Sequence, residues 1–172
     1  MKVLRPLLVL AGALCGTLAF AAEKASTPSP VEVTFQNPAE FSDFTDSSTS
    51  RDSGQEHLMD QMRAYLQDRA SSRLAPGQKL QIKFTNIDLA GDFEPWRGPQ
   101  MNDIRIVKDL YPPRATIEFK LINADGSVAA QGERKLQNLG FLMSSPFPRD
   151  DSLRWDKDML NDWLVQEFPR KK

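Results

Sequence analysis

The sequence predicts a two-layer α+β domain, with a mainly antiparallel sheet of about five strands covered on one face by two helices. Three observations predict it. Apolar residues recur every three or four positions in two long segments, and they alternate with polar residues in several short ones. An Asn-Ala-Asp-Gly run at 123–126 separates two of the strand candidates as a tight hairpin turn would. Two amphipathic helices can cover only one side of such a sheet, and the polar alternate positions mark the other side as wet.

The elements follow in the order strand, helix, four strands, helix. Val31-Glu32-Val33-Thr34-Phe35 alternates as a half-buried strand. Residues 36–53 are rich in Ser, Asp and Thr and read as a loop, pinned to the body by Phe41 and Phe44. Ser53 and Glu56 have the spacing of a capping box for a helix reaching about Arg73, whose buried face is Leu58, Met62, Tyr65, Leu66 and Ala70. Ala75-Pro76-Gly77-Gln78 stops it. Four strands are expected next: Leu80–Thr85, Ile104–Val107, Ala115–Leu121 and Ser127–Leu136. A last helix spans about Ser152 to Glu167, capped by Asp150, Asp151 and Ser152 and ended by Pro169. Its apolar stripe is Leu153, Leu160, Trp163, Leu164 and Phe168, with Trp155 and Met159 at the margin.

The N-terminus reads as an export signal. Lys2 and Arg5 precede an apolar run through Phe20, and Ala19-Phe20-Ala21 is a small-x-small cleavage site. Residues 1–21 are expected to be removed, 22–30 to form a flexible lead-in, 31–169 a globular domain and 170–172 a basic tail. No stable membrane anchor is expected after cleavage. An uncleaved anchor is the alternative, as is lipidation at Cys15, although Leu14 and Gly12 suit a lipidation site poorly. The expected destination is the periplasm, with the extracellular space as the alternative.

Cleavage after Ala21 leaves a chain without cysteine, which excludes thiol catalysis, thiolate metal sites and disulfide exchange. It also leaves 20 basic against 23 acidic residues, a net charge of −3, which gives no electrostatic footprint for nucleic acid. His57 is the only histidine, and no serine stands in a Gly-x-Ser-x-Gly elbow, so a serine–histidine triad and a histidine-rich zinc site both lack their residues. No cofactor is expected.

The densest chemistry lies in Asn-Ile-Asp-Leu-Ala-Gly-Asp-Phe-Glu-Pro-Trp-Arg-Gly, residues 86–98. Its first duty is to connect two strands, with Gly91, Pro95 and Gly98 turning the chain and Ile87 and Leu89 finishing the core. Asp88, Asp92, Glu94 and Asp103 are hard oxygen donors, but their spacing does not match the calcium loop, and no metal site is assigned. Asp92, Glu94, Trp96 and Arg97 are the candidate interaction residues, because an exposed tryptophan beside an arginine can anchor an interface or stack on a sugar. The simpler reading folds Trp96 back over an end of the sheet, as most large aromatics are buried. Leu110-Tyr111-Pro112-Pro113-Arg114 reads as a stiff connection. The apolar group Phe141, Leu142, Met143 and Phe147 is expected to close the core, with an adhesive patch as its alternative.

Four segments together, Val33–Phe44 within "VTFQNPAEFSDF", "IDLAGDFEPW", "NDIRIVKDLYPPRATIEFKL" and "LRWDKDMLNDWL", resemble a family of exported proteobacterial proteins, domain of unknown function family 3016. The resemblance spans roughly residues 31–168 and implies an envelope or secreted location, without an activity or catalytic residues to carry over. Two function classes follow. The first is a non-catalytic envelope module that binds an unknown protein or envelope component. The second is a small carboxylate-dependent hydrolase or calcium-dependent enzyme built around Asp88–Asp103.

Overall fold

The computed structural model describes residues 29–45, 51–98, 100, 103–143 and 146–170. The expected signal segment, most of the lead-in and the end of the basic tail lie outside the described residues. Within them the chain is α+β. A four-stranded sheet has the order β1 (Val31–Phe35), β2 (Lys79–Asp88), β5 (Arg114–Ile122), β6 (Val128–Gln137). The helices are α1 (Arg51–Ser71) and α2 (Arg154–Glu167). A separate ribbon pairs β3 (Asp92–Phe93) with β4 (Arg105–Ile106).

β1 runs parallel to β2, joined through α1, and the remaining main-sheet pairs are antiparallel. The core follows directly from the alternation. Val31 and Val33 of β1, Leu80, Ile82 and Phe84 of β2, and Ala115, Ile117 and Phe119 of β5 are all buried on one face. Against them lie Leu58, Met62, Leu66 and Ala70 of α1 and Met159, Leu160, Trp163 and Leu164 of α2. Tyr65 is only half-buried, and its hydroxyl donates to the Lys157 carbonyl at 3.1 Å, tying α1 to α2. The opposite face is polar and carries Glu32, Gln81, Lys83, Glu118, Lys120 and Glu133, which line a shallow trough of about 650 Å³.

A bulge between Phe84 and Asn86 re-aims β2. Without the extra residue, strict alternation would turn Ile87 outward; with it, Ile87 faces Ala115 and both are buried. The hairpin at 123–126 forms as expected, with Gly126 at φ +84° and the Asn123 amide donating to the Ser127 carbonyl.

Three boundaries differ from the sequence reading. Ile104–Val107 does not join the main sheet; its two-residue core belongs to the β3–β4 ribbon, because Arg105 is committed to the loop corner described below and Ile104 is exposed. The main sheet thus has four strands, not about five. Helix α1 already begins at Arg51, which places Ser53 inside its first turn rather than at its cap. Helix α2 begins at Arg154 with Leu153 as its N-cap and no side-chain cap; of the expected caps, Asp151 instead closes the turn before the helix, where its carboxylate accepts from the Leu153 amide and pairs with Lys157 at 2.7 Å.

Candidate functional site

Residues 89–113 leave the sheet at the end of β2 and return at the start of β5. Gly91 turns the chain at φ +85°, a conformation open to glycine, and its amide donates to the Tyr111 carbonyl. Two charged groups then brace the connection. The Arg105 guanidinium forks onto Asp43, with nitrogen–oxygen distances of 2.7 and 2.9 Å, and also donates to the carbonyls of Gly91 and Thr45. It lies 4.6 Å from the centre of the Phe93 ring. One planar side chain therefore joins the 36–45 loop, the glycine turn and the ribbon, which only arginine's five fixed donors allow.

Glu94 is the second brace and is only 2% exposed. Its Oε1 accepts from the Lys108 ammonium at 2.5 Å and from the Tyr111 hydroxyl at 3.0 Å. Oε2 forms a charge pair with the Arg97 guanidinium without hydrogen-bond alignment. The hydrogen bond from Lys108, helped by Tyr111 and Arg97, holds the Glu94 carboxyl below the usual glutamate range despite its burial. Burial together with the neighbouring carboxylate pushes the Tyr111 phenol up. Directly after Glu94, Pro95–Arg97 make one turn of 3₁₀ helix, and Trp96 stands out from it 71% exposed.

The four sequence candidates thus separate into base and tip. Glu94 is the buried base, Arg97 is half-exposed and bound to it, and Trp96 is the tip. Asp92 uses its carboxylate on the Phe93 amide at 2.7 Å. Trp96 does not fold back over the sheet: it stands on the 3₁₀ turn 71% exposed, while Ile87 and Leu89 of the same segment are buried. The four acids of the region are also separated: Asp88 pairs with Arg114 at 2.8 Å, Asp103 is exposed, and no cluster of three metal-ligating side chains occurs among the described residues. His57 is exposed on α1, 2.8 Å from the Gln61 amide nitrogen.

The register pairs Asp88 with Arg114 and Arg114 with Gln137, so segments 89–113 and 138–143 emerge from the same end of the sheet. That end holds six of the eight exposed large apolar side chains among the described residues: Trp96, Ile104, Leu110, Leu139, Leu142 and Met143. The apolar group at 141–147 therefore divides. Phe141 is buried against Trp155, as expected, whereas Leu142 is exposed and Met143 is 88% exposed. Adjacent strands lie about 4.8 Å apart, so the two segments stand within about 10 Å of each other where they leave the sheet.

Two buried carboxyl groups of α2, Asp156 and Asp158, escaped the sequence reading, and Asp156 is the deeper. Asp156, in the first turn of α2, is 1% exposed and accepts from the Ala90 amide at 3.2 Å. Burial pushes its carboxyl up to about 7. The signal was present: Asp156 stands three, four and seven residues from Leu153, Leu160 and Trp163, on the stripe that faces the core.

A search of curated proteins gives no match to this chain. Residues 29–166 match the model of a family described as a protein of unknown function, DUF3016. That span includes every strand and nearly all of α2, so both braces, the Trp96 turn and the sheet that carries them belong to the matched region, and the chain is a member of the DUF3016 family.

Proposed function

We propose that this chain is an exported, non-catalytic binding module of the bacterial envelope, and that its contact surface is the end of the sheet centred on Trp96. One observation carries the reading: a tryptophan 71% exposed on a short turn whose preceding residue, Glu94, is buried and held by Lys108, Tyr111 and Arg97. Large aromatics left in water usually mark interfaces, and tryptophan is among the commonest anchors there. A braced turn has little conformational freedom left to lose on binding, which favours affinity. Leu110, Leu139 and Met143 are exposed on segments that leave the same end of the sheet and would add apolar area to the contact, and Arg97, next to the anchor in the chain, would add a polar rim. The export pattern at residues 1–21 supports an envelope partner, either a protein or an envelope component.

The test is affinity capture from envelope extracts with the wild-type chain and a Trp96→Ala, Arg97→Ala variant side by side. The expected result is a partner retained by the wild type and lost at least about tenfold by the variant, the size of an anchor residue's contribution. Equal retention by both forms would move the contact elsewhere. No partner above background for the wild type would remove the reading altogether.

A further inference from the structure

Strand β6 is the outer strand of the main sheet and pairs on one side only, with β5. It is ten residues long, has no proline, and no other element among the described residues pairs with its free edge. The direction of its outward backbone groups follows from the ladder. The Asn138 amide donates to the Pro113 carbonyl, so even-numbered residues of β6 point their backbone groups toward β5. The alternation continues across the sheet to the Leu80 amide on the Pro30 carbonyl and the Gln36 amide on the Phe84 carbonyl. Odd-numbered residues of β6, including Gln131, Glu133, Lys135 and Gln137, therefore present their amides and carbonyls outward; of these the Glu133 carbonyl already accepts from Nη1 of Arg134 at 2.9 Å, which occupies one of its two lone pairs.

Long regular edges invite pairing with another chain, and a lysine placed on one ordinarily discourages it. Here Lys135 is accompanied two residues earlier by Glu133, on the same polar face. Glu133 lies directly opposite Glu118 of β5, whose own partner is Lys83 at 2.7 Å. Like charges directly opposite each other are unfavourable, and neither Glu133 nor Lys135 forms an ion pair among the described residues.

We infer that β6 pairs antiparallel with β6 of a second copy about a two-fold axis at Arg134, joining two four-stranded sheets into one. In that register Glu133 faces Lys135 of the second copy, and Lys135 faces its Glu133. Gln131 faces Gln137, and these residues point their backbone groups outward, the Glu133 carbonyl through the lone pair that Arg134 leaves open. No other antiparallel register sets the two charges face to face. Slipping by two residues puts Glu133 against Glu133 in one direction and Lys135 against Lys135 in the other. On the helix face the axis brings Arg134 against its copy, but each guanidinium is already forked onto Glu167 of α2 at 2.8 Å through Nε and Nη2, with Nη1 on the Glu133 carbonyl. The edge is thus self-complementary in a single register, which is what an isologous interface requires.

Light scattering of the full chain over a concentration series tests the pairing. The wild type is expected at twice the mass of one chain at about 100 μM, and Glu133→Lys, which sets like charges opposite each other at both ends, is expected to raise the dissociation constant at least about tenfold. Glu133→Lys combined with Lys135→Glu restores opposite charges in the same register and is expected to restore the dimer. Circular dichroism checks that each variant keeps its fold, which these exposed positions allow. A wild type that stays monomeric overturns the inference. A dimer indifferent to Glu133→Lys does so as well, and so does a folded double variant that stays monomeric.

Discussion

Glu94 and Asp156 are both buried carboxyl groups, and their neighbours treat them in opposite ways. Glu94 meets an ammonium, a guanidinium and a phenol, so its charge is favoured. Asp156 meets only backbone amides, that of Ala90 and its own, with Arg105 and Asp88 acting from further away, so burial dominates and its carboxyl sits at about 7 instead of 3.8. In the pH range between those values the folded chain holds a proton that the unfolded chain has released. Its stabilising effect is complete below pH 3.8 and is lost as pH rises through about 7. The displacement corresponds to about 4 kcal/mol. Asp156→Asn keeps an acceptor for the Ala90 amide without the charge. Denaturant unfolding across this range should show the variant gaining on the wild type as pH rises from 4 to 8, by as much as about 4 kcal/mol. A difference independent of pH would show that Asp156 is not the titrating group.

At the scale of elements, the connection between β2 and β5 depends on where a side chain can fit. A Cβ on Gly91 would come 2.9 Å from the Ile106 carbonyl oxygen across the ribbon, in addition to the strain of φ +85°. At Gly98, φ is +119° but no atom lies within 4 Å of the position. Both alanine variants should be destabilised by backbone strain of about 1–3 kcal/mol, and Gly91→Ala by more, because β3 and β4 must separate to admit the methyl group. Thermal unfolding of the two variants checks the order; equal losses would mean that the ribbon yields freely. The same elements show how far local sequence could be read. The alternation in β2 and β5, the Asp-Gly hairpin and the stripe of α1 were legible because each repeats a period over many residues. The assignment of Ile104–Val107 to the main sheet failed because four residues carry no period. Its side chains are placed by Arg105 reaching back to Asp43, a contact between residues far apart in the chain.

For the whole molecule, the two helices and the buried face of the sheet share one hydrophobic cluster running from Val31 to Phe168. Trp163 sits inside that cluster, edge-on to Phe119 and Phe168, while Trp96 reports from the far end of the sheet. A single core unfolds as one unit, so far-UV circular dichroism and tryptophan fluorescence should give coincident denaturation curves. Separate midpoints would show that the loop end melts independently of the two-layer body. By itself, the sequence determined the α+β class, the one-sided covering of the sheet and the residues that form its core, since these follow from periodicity and from the need to remove apolar surface from water. It also marked residues 86–98 as the region richest in recognition chemistry. Only the tertiary structure decided that Glu94 is a buried brace while Trp96 is left in water, that Asp156 is sealed against Ala90, and that β6 ends the sheet with a free edge. Each of those outcomes depends on which distant residues arrive beside a side chain or a strand, and burial, charge and pairing are properties of that neighbourhood rather than of the local chain.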